Sequence, residues 1–147
     1  MKTFRFLTLI FLSVLVISCK KDEPKDLILG DWKGSKIVNT GCNNPENNQN
    51  LTMTDGCYTE ATLGLQLCLS ISFKNDGSYI VTTKTVFLGT PTTETETGTY
   101  TINGGKLKLC PSGSACEEGD FSVSDKTLVL KSKDSDTGCN SEATFVK

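Results

Sequence analysis

The sequence predicts an all-β domain: eight antiparallel strands in up-and-down order, closed as a barrel or curved as a partly open meander. Three observations carry this. Leu63, Leu65, Leu67, Leu69, Ile71 and Phe73 alternate with Gly64, Gln66, Cys68, Ser70, Ser72 and Lys74, a period of two that gives one buried and one wet face. Asn75-Asp76-Gly77 and Gly104-Gly105 punctuate such runs with glycine where hairpin turns need positive φ. No stretch carries a helical period with caps.

At the N-terminus, Lys2 and Arg5 form a short basic region, and Phe6 to Ile17 is unbroken in apolar or small residues. That run is too short for a permanent bilayer anchor and reads as a signal peptide over residues 1–18. Val16-Ile17-Ser18-Cys19 closes it and resembles the lipobox of bacterial lipoproteins. The resemblance implies that the Cys19 thiol is acylated and that Cys19 becomes residue one after cleavage. The first expected partner is therefore a lipid bilayer, reached through acylated Cys19. Residues 19–26, with Lys20-Lys21-Asp22-Glu23-Pro24, form a charged lipidated tether. An acidic pair behind lysines is similar to the export signal of some outer-face lipoproteins, and fits a solvated linker equally well. The expected location is the outer membrane, lipid-anchored, on its periplasmic side or at the cell surface.

Residues 27–147 make one β domain, with Leu27 to Leu29 as a short turn before Gly30. Strands are expected near 31–39, 63–74, 78–88, 94–102, 106–110, 120–124, 127–132 and 142–147. The Asn75-Asp76-Gly77 loop pairs Phe73 with Tyr79, so Tyr79, Val81 and Thr83 point inward. A two-residue Gly104-Gly105 turn pairs Ile102 with Leu107 and Tyr100 with Leu109. Asp125-Lys126 sets Val123 against Leu128, and Ala143 and Phe145 supply the closing strand. Thr40 to Asp55 is too polar to bury and should be a long surface loop at the barrel mouth. Asn50-Leu51-Thr52 matches a glycosylation sequon, which reads as coincidence in a bacterial lipoprotein.

Beyond Cys19, six cysteines remain: Cys42, Cys57, Cys68, Cys110, Cys116 and Cys139. An even number in an exported chain, with no C-x-x-C spacing, reads as disulfides rather than a redox or metal site. Cys42–Cys57 and Cys110–Cys116 each bracket a loop, which leaves Cys68 with Cys139. The chain has no histidine, and Arg5 is its only arginine. The histidine-based triads, the commonest zinc ligand and the fork that grips phosphates are thereby missing. With 17 acidic residues against 15 basic ones there is no basic footprint for nucleic acid either. The acidic residues sit in turns (Asp76, Asp125, Asp134, Asp136) or among threonines (Glu94, Glu96), as solvated groups do. A non-enzymatic monomer without catalytic residues, cofactor or metal is expected.

Gly30-Asp31-Trp32, Phe73-x-x-Asp76-Gly77-x-Tyr79, Gly98-x-Tyr100-x-Ile102 and Gly104-Gly105-Lys106-Leu107 follow one another in order. Together they resemble the lipocalin-like domains of bacterial lipoproteins. The resemblance implies a lipocalin-like barrel in which Gly30 and Trp32 open the first strand and Trp32 closes the floor. Lipocalins cover that tryptophan with an arginine from the last strand, and here only Lys147 stands at the corresponding end. Trp32 then reads as a core aromatic rather than a ligand contact. Two functions from different classes fit. One is a module binding a small or hydrophobic ligand, with Thr83 and Ala143 leaving space that Phe73, Tyr79, Tyr100 and Phe145 partly fill. The other is a filled barrel acting as a structural or protein-interaction element, with the long loop and the threonine-rich 90–99 segment as its contact surface.

Overall fold

A computed structural model describes residues 23–147; the expected signal peptide over 1–18, Cys19 and the expected tether up to Asp22 lie outside the described residues. The chain opens with one helical turn, α1 (Pro24–Leu27), and continues in strands β1 (Gly30–Thr40), β2 (Gln49–Thr52), β3 (Cys57–Glu60), β4 (Leu65–Phe73) and β5 (Ser78–Phe87). Then follow β6 (Thr90–Asn103), β7 (Lys106–Pro111), β8 (Glu117–Val123), β9 (Thr127–Lys133) and β10 (Asn140–Val146). The turn falls earlier than expected because Pro24 takes the first helical position, where its missing N–H costs nothing.

All eight expected strands form, and two more join them. The sheet runs β1-β10-β9-β8-β7-β6-β5-β4, every pair antiparallel, and a further β1–β4 pairing closes it into an eight-stranded barrel. That closure spans Gly30–Lys33 against Phe73–Ser70. Past it β1 exchanges β4 for β2, and β4 exchanges β1 for β3. The expected long loop, Thr40 to Asp55, is therefore not a loop throughout: 49–52 is a strand within it, 57–60 is another just past it, and the two prolong the diverging edges. Alternation in Gln49-Asn50-Leu51-Thr52 is too weak to announce a strand, and backbone pairing with β1 supplies what side chains do not.

The fork between β1 and β4 is filled by the β2–β3 turn. Met53 N–H donates to Ser35 O at 2.8 Å and Leu69 N–H donates to Gly56 O at 2.8 Å. The register of β1 against β10 shifts between Gly34 and Lys36, a bulge that bends β1 away from β4. Gly34 lets the turn sit close, since a Cβ there would lie 2.7 Å from the Met53 sulfur and would force that side chain to shift. Asp55 and Gly56 make the turn at φ 50° and 86°.

The expected hairpin registers hold: Phe73 faces Tyr79, Ile102 faces Leu107, Tyr100 faces Leu109 and Val123 faces Leu128. Their inward rows meet in one core of Ile28, Trp32, Ile71, Phe73, Tyr79, Tyr100, Leu107, Leu128 and Phe145. Phe73 and Tyr100 pack edge to face at 4.9 Å. β4 begins at Leu65, not Leu63. Ala61–Leu63 is a short 3₁₀ turn ended by Gly64 at φ 58°, which leaves Leu63 58% exposed instead of inward.

The disulfides join Cys42 to Cys139, Cys57 to Cys68 and Cys110 to Cys116. Cys110–Cys116 is as expected; Cys42–Cys57 and Cys68–Cys139 are corrected. The loop-bracketing argument fails because β3 pairs with β4 and brings Cys57 directly opposite Cys68. Cys42 is left to reach the β9–β10 connection, where Asn43 N–H also donates to Thr137 O at 2.8 Å.

Candidate ligand chamber

The two ends of the barrel differ. At the floor, Trp32 is fully buried and its Nε1 donates to Ile28 O at 2.7 Å, tying β1 to the segment that follows α1. The Lys147 ammonium stands 4.5 Å from the centre of the Trp32 ring and donates to Leu27 O at 3.1 Å. Lys147 therefore does cover Trp32, by a point-charge cation–π contact and one hydrogen bond in place of a planar stack. Gly30 begins β1 at φ 107°, a conformation glycine takes at no steric cost.

The opposite end opens. The β1–β2, β3–β4, β5–β6, β7–β8 and β9–β10 connections all lie there, with Cys42–Cys139 and Cys110–Cys116. On β5 and β10 the inward side chains change from aromatic to small and polar toward this end, while β4 stays apolar through Leu69, Leu67 and Leu65. β5 runs inward as Tyr79, Val81, Thr83 and Thr85, and β10 as Phe145, Ala143 and Ser141, with Ser132 beside it on β9. Thr83 and Ala143 are half-buried and face the interior as expected. Phe73, Tyr79, Tyr100 and Phe145 fill the floor half as expected.

β6 outlasts β7: Thr90–Thr99 pairs with β5, while β7 reaches β6 only from Gly98 onward. The threonine-rich segment is thus an exposed edge on one side. Its glutamates, however, do not point away. Glu96 lies opposite Val81 and Glu94 opposite Thr83, so both carboxylates stand on the inward face while remaining solvent-exposed. The Tyr79 hydroxyl donates to Glu96 Oε1 at 3.0 Å. Burial of the Tyr79 ring, the hydrogen bond to Glu96 and the charges of Glu96 and Glu117 push its pKa up to about 12.

Where β8 parts from β9 a cleft of about 200 Å³ runs through the barrel wall, with Leu107, Leu109, Glu117, Leu130 and Ala143 on its inward side and the charged Glu118, Asp120 and Lys131 on its outward side. A larger depression, about 690 Å³, lies on the outer face of β7–β10 and β1. Four of its charges pair, Lys106 with Asp120 at 2.7 Å and Lys131 with Glu142 at 2.9 Å, and Lys36, Lys133 and Glu118 line it as well. Another hollow, about 460 Å³, is lined by Leu27, Phe121 and Val123 near the floor and is apolar too, whereas the 200 Å³ cleft adjoins the small inward side chains Ala143 and Ser141 toward the mouth. Among the described residues no three His, Cys, Asp or Glu side chains are grouped to hold a metal ion.

Glu117, solvent-exposed but on an inward row, is a residue the sequence argument did not single out. Glu117, Gly119, Phe121 and Val123 share one parity, and the apolar end of that row marks the whole row as inward. The expected strand began at 120, three residues past the start of β8, so Glu117 fell outside it.

The chain is similar in structure to a lipocalin-like protein from Bacteroides uniformis, with a TM-score of 0.50 and 13% sequence identity. The match covers 82% of this chain and 97% of that one. At this identity the likeness is one of fold: this chain folds as a lipocalin-like barrel, closed, with eight antiparallel strands and two added ones. No protein-family model and no curated protein matches the sequence.

Proposed function

We propose that the protein is a lipid-anchored bacterial lipoprotein whose lipocalin-like barrel binds a small ligand with an apolar portion at the cell envelope, without catalysis. The observation that carries the reading is the gradient inside the barrel. Aromatics fill the floor, while Ala143, Ser141, Thr83 and the cleft beside Leu109 and Leu130 leave room toward the mouth. A pocket of this kind, apolar with a few polar groups, is the usual form of a small-molecule site. The cleft is small, which favours a short chain or a single ring. Cys19, in the lipobox-like Val16-Ile17-Ser18-Cys19, is the proposed lipidation site, and the protein acts as a monomer at the outer membrane, on its periplasmic side or at the cell surface.

A second reading, a structural or protein-interaction module with a filled barrel, is favoured by Leu63, Phe87 and Leu88, which are 58%, 53% and 74% exposed at one end. One preparation separates them. Native mass spectrometry of protein taken from its own cells should show a retained small molecule, and mature mass should include acyl chains on Cys19. Protein that carries no ligand but co-purifies with a stoichiometric protein partner would replace the first reading with the second. Cys19→Ser should release the protein from membranes, because buried acyl methylenes contribute about 0.8 kcal/mol each. A variant that stayed fully membrane-bound after extraction of peripheral proteins would remove the lipoprotein half of the proposal.

A further inference from the structure

The barrel strands keep their lysines to the outer face, while carboxylates stand on both faces, with Asp31, Glu118, Asp120 and Glu142 outward. Glu94 and Glu96 share the row of Tyr79 and Val81, Glu117 stands opposite Leu109, and Glu60 opposite Leu65. The lysines take the other face: Lys33 lies opposite Ser70, Lys84 opposite Cys68, Lys108 opposite Thr101, and Lys131 opposite Glu142. Among the described residues no lysine within a barrel strand shares the inward row. Lys131 borders the cleft, yet its ammonium is held by Glu142 at 2.9 Å on the outer face.

We propose that the chamber takes a ligand with an apolar body and a cationic head, of the alkylammonium class, in preference to a fatty-acid-like anion. This rests on the chamber being a binding site and adds the sign of the ligand's charge. The body would lie against Leu107, Leu109, Leu130 and Ala143, which pack onto the aromatic core and gain from excluding water. Glu117 stands beside that wall. Glu96 stands further out, fixed by the Tyr79 hydroxyl. These carboxylates are not grouped as a metal cage, so they act as a one-signed field along one side of the mouth. An anionic head would enter that field with no inward cation to offset it.

Calorimetric titration of the full chain carrying Cys19→Ser tests this, with octylammonium, octanol and octanoate at neutral pH and low salt. Octylammonium should bind about tenfold tighter than octanoate, with octanol between them. Added salt should narrow the gap, because exposed charges are screened. Glu96→Gln combined with Glu117→Gln should remove the gap and leave octanol unchanged, while Lys84→Gln on the outer face should leave the gap intact. If octanol binds but octylammonium is not preferred, or the preference survives both glutamate substitutions, the charge assignment is wrong and the binding reading stands. If none of the three binds, the binding reading falls and the charge assignment falls with it.

Discussion

Tyr79 joins the core to the mouth: its ring is buried, and its hydroxyl donates to a carboxylate that water still reaches. That position has a consequence for pH. The unfolded tyrosine ionises near 10, the folded one near 12. Below pH 10 both states keep the proton, so this group leaves stability unchanged. Between about 10 and 12 the unfolded chain has lost a proton that the folded protein retains, so stability falls as pH rises. Tyr79→Phe should make that decline shallower, while Tyr58 and Tyr100, whose pKa values are also raised, keep part of it. Denaturant midpoints across the alkaline range for both proteins measure the difference. Identical slopes would mean that the hydroxyl is not held as described.

At the scale of an element, β4 tests the register. Phe73 is 2% exposed and meets Tyr100 edge to face, while Ser72 pairs with Ile80 and Asp31 on the outer row. Phe73→Ala should cost about 3–5 kcal/mol through lost burial and the cavity left behind. Ser72→Ala should cost under about 1 kcal/mol, as outward substitutions usually do. Side-by-side denaturant melts decide between this register and its one-residue slip, which would exchange the two faces. Equal losses, or a larger loss at Ser72, would refute the pairing of β4 with both β1 and β5. Cys68 belongs to the same outer row as Ser72, which is why it can bridge to Cys57 beside the barrel without entering the core.

Over the whole molecule, stability comes from two sources at two ends. The floor is held by the packed aromatics, Ile28 and the Trp32–Lys147 contact. Toward the mouth, where the inward side chains of β5 and β10 are small or polar, the three disulfides supply the restraint. They are unequal in the chain-entropy account, which scales with loop length. Cys42–Cys139 closes 97 residues and should contribute about 4.7 kcal/mol, whereas Cys110–Cys116 closes 6 and should contribute about 2 kcal/mol. Replacing each pair by serines and comparing unfolding free energies checks this, and peptide mapping without reduction checks the three pairings. A larger loss from the Cys110–Cys116 pair would place the weight of the mouth on its own loop.

Local chemistry was legible wherever neighbours in sequence are neighbours in space. The β4 alternation, the Asn75-Asp76-Gly77 and Gly104-Gly105 turns and the Val123–Leu128 hairpin each name their own partners, because a hairpin's register follows from its turn. That reasoning delivered eight strands in order, the aromatic row of the floor, and Thr83 and Ala143 as interior positions. It stopped where contact depends on barrel closure. The β1–β4 seam joins residues about forty positions apart, and only when it ends do β2 and β3 acquire free edges to extend. The two corrected disulfides follow from those strands, and Lys147 finds Trp32 only because the last strand returns beside the first. The inward face of Glu94 and Glu96 was likewise a tertiary decision. Composition made them solvated, and they are, but pairing with β5 set which side of the wall they occupy, since a strand's alternation fixes two faces and only its partners determine which one closes over a chamber.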